Sequence, residues 1–250
     1  MGNVIFRLIA VIVIALLCAT QAPASVLLSD DFASYNSSQA AFDAAWTPSG
    51  TSGGVVLSGV ELSVTGPPSD GRRSQKSFAE FMPTAAEDLQ ISFRIQVNST
   101  SLARHYIDLM DGAGSSSGQL LELGINNSPA SNEWFVRMLG SSEANAFVPM
   151  DPAAPDRVPN QWANLRAVIH RETATTGSAT VFVNDVPGKM LSGFTLRSYD
   201  TVRIGSNLSS AGLVWFDDVL VQTVPAPEPT ALGVIGAVAV VGALCRRRRR

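Results

Sequence analysis

The sequence predicts an all-β fold, a jelly-roll-like antiparallel β-sandwich, and three observations carry that reading. Leu89, Ile91, Phe93, Ile95 and Val97 alternate with Gln90, Ser92, Arg94 and Gln96 in the clearest period-two stripe of the chain. Elsewhere, short apolar runs recur between stretches rich in Gly, Ser, Asn and Pro. No amphipathic helical period competes with them. Successive side chains of a strand point to opposite faces, so the stripe turns one side to a core and the other to water.

The remaining strands follow in order. Val60, Leu62 and Val64 alternate ahead of Gly66-Pro67-Pro68. Segments 105–110, 120–125 and 134–139 come next, separated by DGAGSSSG and NNSPASNE, which have turn chemistry. Ala163, Leu165, Ala167 and Ile169 then form an apolar face, opposite Trp162, Asn164, Arg166, Val168 and His170. Ala179–Asn184 is the next strand, with Asp185-Val186-Pro187-Gly188 as its turn; Val202 and Ile204 mark another, and Val214–Gln222 the last. Roughly ten short strands without a helix point to a sandwich. Trp46, Trp134 and Trp215 are expected in the core or at strand edges.

The two ends read differently from the body. Residues 1–24 have the form of a signal peptide: Arg7, the 12-residue apolar run Leu8–Ala19, and Ala22-Pro23-Ala24 as an A-x-A cleavage site. Residues 25–224 are the sandwich. Residues 225–250 end the chain, with a short transmembrane helix expected over 231–245. Those 15 residues would span roughly 22 Å at about 1.5 Å per residue, against a hydrocarbon core of about 30 Å. Terminal arginines can snorkel and hold that end on the cytoplasmic side.

Charge and cysteine follow the same division. Between Ser25 and Pro229 lie 21 acidic and 12 basic residues, which leaves −9. An acidic body is a poor match for phosphate neutralisation, so nucleic acid is not an expected partner. Both cysteines, Cys18 and Cys245, fall in the apolar end segments, and this rules out a disulfide framework in the body.

Pro227-Glu228-Pro229, the apolar run and the cluster Arg246, Arg247, Arg248, Arg249 and Arg250 stand in that order within 26 residues. The arrangement resembles the PEP-CTERM sorting signal of Gram-negative bacteria. That resemblance implies a substrate of exosortase, with signal peptidase acting at the other end and transient insertion in the inner membrane. It also implies a destination in the cell envelope, on the outer surface or in the extracellular matrix, often among exopolysaccharide. In the body, Gln161–Val168 and the strand Thr180–Asn184 with Asp185 resemble the laminin-G/concanavalin-like jelly-roll superfamily. Asp30-Asp31-Phe32 and Trp215-Phe216-Asp217-Asp218-Val219 look like the paired terminal strands of exported sandwiches.

Two constellations carry possible chemistry. If the terminal strands are neighbours, Asp31, Asp217 and Asp218 could meet around calcium, a hard ion that takes six to eight oxygens. Trp162, Arg166 and His170 share one strand face and could form a shallow glycan-binding surface; they span roughly 26 Å at about 3.3 Å per residue, too far for one compact catalytic centre. Catalytic signatures are missing. There is no E-x-D-x-E run, no HExxH, no G-x-S-x-G elbow, and Glu122 and Glu133 stand apart along the chain. The expectation is therefore a non-catalytic exported surface protein, structural or adhesive in the envelope or exopolysaccharide matrix. A carbohydrate-binding module is the alternative, and a polysaccharide-acting glycoside hydrolase a more distant one.

Overall fold

In a computed structural model, residues 23–50, 53–58, 61–65, 71–98, 104–112, 119–125, 134–138, 147–206 and 213–227 are described. In chain order the strands are β1 (Val26–Asp30), β2 (Thr47–Pro48), β3 (Val56–Ser58), β4 (Glu61–Thr65), β5 (Arg73–Phe81) and β6 (Glu87–Val97). Then come β7 (His105–Met110), β8 (Gln119–Ile125), β9 (Phe135–Met138), β10 (Val148–Pro149) and β11 (Trp162–Arg171). The last are β12 (Thr176–Val183), β13 (Val186–Thr195), β14 (Tyr199–Ser206) and β15 (Leu213–Pro225).

These strands build two antiparallel sheets. One has eight strands in the order β13-β12-β11-β6-β15-β4-β3, with β1 also paired to β15; the other has seven, β10-β9-β8-β7-β14-β5-β2. The period-two stripe is β6, held between β11 and β15. Its apolar side lies in the core, where Leu89, Ile91, Phe93, Ile95 and Val97 are at most 2% exposed. From the other sheet come Ile107, Leu109, Leu121, Leu123, Val202 and Ile204. Each such side chain removed from water contributes roughly 1.5–3 kcal/mol, so the alternation itself specifies which face turns inward.

The terminal strands are neighbours, as their sequence suggested: Asp30 of β1 lies opposite Val219 of β15. The entry to the body is fixed by Asp30. Its carboxylate accepts bonds from the Phe32 N–H (3.0 Å), Tyr35 hydroxyl (2.5 Å), Trp46 Nε1 (2.9 Å) and Lys76 Nζ (2.7 Å). Burial alone would raise its pKa, but these four donors outweigh burial and hold it below the ordinary value.

Two local expectations are corrected. A short helix, α1 (Gln39–Ala45), was not anticipated. Ser38 caps it by accepting the Ala41 N–H at 3.3 Å, and its buried Phe42 stacks on Trp46 with centroids 6.1 Å apart. Seven residues with one buried apolar position leave no periodic stripe to read. The hairpin after β12 turns on Asn184 and Asp185, both at positive φ (48° and 64°), and not across Val186-Pro187-Gly188. Those three already belong to β13, where Pro187 is tolerated because the strand is an edge. Among the described residues no helix is long and apolar enough to cross a membrane. Residues 1–22 of the expected signal peptide, the expected span 231–245, Glu228, Pro229 and Arg246–Arg250 lie outside the described residues.

Candidate functional site

The outer face of the eight-stranded sheet carries a cleft of about 430 Å³ over β1, β15, β6 and β11. Its position follows from a bulge. The β15–β6 register slips between Asp217 and Leu220, and Asp218 takes a positive φ of 51°. Alternation shifts by one residue there, with Val214 and Phe216 buried before the bulge and Val219 and Val221 after it. Two consecutive carboxylates are thereby left beside the cleft.

Asp31 and Asp218 both line it, with Asp30, Arg94, Asn164, Arg166 and Asp185. Arg94 is the hinge of the arrangement: its Nη1 lies 3.3 Å from Asp217 Oδ2 and 3.1 Å from Asp218 Oδ2, and its guanidinium sits 4.6 Å from the Trp162 ring centroid. Arg166 is held the same way, 3.8 Å from the Phe182 ring centre and 3.3 Å from Asp185 Oδ1. A guanidinium stacked on a ring and tied to a carboxylate keeps N–H groups in a fixed plane.

The sequence-predicted residues therefore divide. Asp31, Asp218 and Arg166 share the cleft; Asp217 and Trp162 join it through Arg94. His170 does not, because its Nδ1 is 2.7 Å from Asp88 Oδ1 near the far end of β11. Burial raises the Asp88 pKa, only partly offset by His170. Arg94 pairs with both Asp217 and Asp218, and among the described residues no three His, Cys, Asp or Glu side chains are grouped to hold a metal ion. Trp46 and Trp134 are core, but Trp215 is not: it is half-buried on the outer face, across Gln96 from Trp162. The Val-Trp-Phe alternation of 214–216 was the signal for that placement.

A second polar constellation was missed. On the outer face of the seven-stranded sheet, Gln75, Arg203, Asp108, Glu122 and Arg137 stand opposite one another in a single row across five strands. Arg203 Nε donates to Asp108 at 2.7 Å, and Arg104 pairs with Glu122 through two bonds. Tyr106 lies between Arg104 and Arg203, whose guanidinium carbons are 5.1 and 5.9 Å from its ring centre. Asp108, Glu122, Arg203 and Tyr106 are at most 5% exposed. Burial, with the adjacent Glu122, pushes the Asp108 carboxyl up against the pull of Arg203. The acids that stand isolated along the chain are thus side by side in the sheet.

No family model matches the chain, and no curated protein sequence does. Solved structures do share its fold. Alginate lyase Aly36B matches at a TM-score of 0.53 and 11% identity, over 78% of this chain and 95% of that one. The carbohydrate recognition domain of Emp47p matches at 0.52 and 13%, over 82% and 100%. A structure from work on endo-acting O-glycanases of the human gut microbiota matches at 0.51 and 13%, over 81% and 100%. The body is a β-sandwich of the kind these proteins use. The expectation of a non-catalytic body is overturned by the first of them, since a polysaccharide lyase is built on this same sandwich. One part of that expectation looked for two acids on a single strand, whereas Asp108 and Glu122 are paired across two.

Proposed function

We propose that this chain is an exported carbohydrate-recognising protein whose sandwich binds glycan at the cleft on the eight-stranded sheet. The observation that carries this reading is the meeting of Arg94, Arg166, Asn164, Asp31 and Asp218 around one open cleft, with Trp162 stacked beside it. Carboxylates and amide oxygens accept from sugar hydroxyls, guanidinium groups donate to them, and an indole face covers the apolar side of a pyranose. The shared fold with the Emp47p carbohydrate recognition domain supports it. Export would use the signal peptide of residues 1–24. The Pro227-Glu228-Pro229 signal would route the chain through exosortase to the envelope or surface of a Gram-negative bacterium. Its partner there would be a polysaccharide or another envelope component.

Titration of the protein against a panel of polysaccharides tests the cleft. Saturable binding that weakens at least about tenfold in Trp162→Ala, the scale of one aromatic contact, is the expected result. Binding untouched by both Trp162→Ala and Arg94→Gln would sink it. Calcium at Asp31, Asp217 and Asp218 would have to displace Arg94, and a calcium-dependent rise in melting temperature, reversed by chelator, is its test. Polysaccharide lyase action is a second reading, supported by the sandwich shared with Aly36B. Release of unsaturated sugar ends from a uronate polymer would establish it.

A further inference from the structure

The charged row on the seven-stranded sheet has a feature that its internal ion pairs do not use. Asp108 and Glu122 are matched by Arg203 and Arg104. At the two ends of the row the polar groups are left over. The Nε atoms of Arg73 and Arg137 and the Oε1 of Gln75 are buried without a hydrogen-bond partner among the described residues. Among the described residues four arginines, Arg73, Arg104, Arg137 and Arg203, stand there against the two carboxylates, an excess of positive charge on a body that carries −9 overall.

The floor between the ends is closed and the ends are not: Asp108 and Arg203 are buried, whereas Arg73, Gln75 and Arg137 are part-exposed. Gly205 shapes one end. A Cβ there would lie 2.2 Å from the Arg72 carbonyl oxygen and 2.6 Å from Arg73 Cγ, so glycine lets β5 and the Arg73 stem lie close against β14. Phe147 shapes the other, its ring centre 4.2 Å from the Arg104 guanidinium and 5.4 Å from that of Arg137.

We propose that this face is a second binding site, specific for a carboxylate-bearing glycan such as a polyuronate, with Arg73 and Gln75 at one end and Arg137 beside Phe147 at the other. A guanidinium fork matches a carboxylate in plane and distance. The five-strand row separates its ends by about 19 Å at roughly 4.8 Å per strand, so an extended chain of acidic sugars can reach both. The site is separate from the cleft and does not depend on it.

The test is calorimetric titration of the full-length chain with a defined tetrauronate and with the neutral tetrahexose of the same linkage. Wild type should bind the tetrauronate at least tenfold more tightly. Arg73→Gln and Arg137→Gln should each lose at least tenfold for the tetrauronate, with unchanged melting temperature, while Trp162→Ala leaves tetrauronate affinity intact. The proposal is overturned if wild type does not bind the tetrauronate or does not prefer it over the neutral chain. Unchanged affinity in both arginine variants overturns it as well, and so does tighter binding of single-stranded nucleic acid of equal charge. Loss in Trp162→Ala alone would assign the acidic glycan to the cleft and remove this site while leaving the cleft reading standing.

Discussion

The two outer faces of the sandwich are written in the same residues, arginine, aspartate and aromatic rings, and burial makes them different objects. On the eight-stranded sheet the Arg94 side chain is 37% exposed and that of Asp218 52%. On the seven-stranded sheet Arg203 and Asp108 are 6% and 0% exposed. An exposed pair gains little because water screens it, and either partner can turn to a ligand at small cost. A buried pair is costly to assemble and costlier to break, because removing one partner strands the other in a low-dielectric site. The first face is suited to exchange; the second holds its centre fixed and offers only its ends.

Asp108→Ala breaks that contrast most severely. It should destabilise the fold by about 3–5 kcal/mol, read by denaturant titration, because Arg203 is left buried alone. A loss below about 1 kcal/mol would mean that the row is not the rigid floor described.

Asp30→Ala should cost about 2–4 kcal/mol, since four donors lose one acceptor. The two aspartates should also bend the pH profile in opposite directions. Asp30 is held below its ordinary value of 3.8, so its contribution is complete above that pH and is lost as pH falls through the folded value. Asp108 is held above 3.8, so its contribution is present below that pH and fades as pH rises through its folded value. Melting curves of Asp30→Asn and Asp108→Asn across pH should each lose one limb. A shared limb would show that the two sites are not independent.

Asp217→Ala is the mildest change. Arg94 keeps Asp218 and its stack on Trp162, so stability should move by less than about 1 kcal/mol. If it falls as far as Asp108→Ala, exposure is not what separates the faces.

Much of the first face was legible in sequence, because its evidence is local or terminal. The β6 stripe and the β11 alternation put Arg94, Trp162 and Arg166 outward, and the acids at the end of β1 and within β15 came together as soon as those strands paired. The second face was not legible. Its row exists only in cross-strand register, which joins residues 75, 203, 108, 122 and 137 from five separate strands. No single strand announces it. Within β7 a lone Asp108 among His, Tyr, Ile, Leu and Met reads as an exception in an apolar run, and β5, RSQKSFAEF, has no apolar alternation at all.

The pairing of β1 and β15 at the two ends of the body also has a mechanical meaning. From Leu220 to Pro225, β15 is bonded antiparallel to β6, and β1 lines part of its other side. A pull delivered through the C-terminal end of β15 acts along the strand, so the hydrogen bonds to β6 and β1 share the load in shear and do not open one by one. A protein hauled through a membrane or tethered at a surface by that end would resist unfolding at the very strand that bears the force.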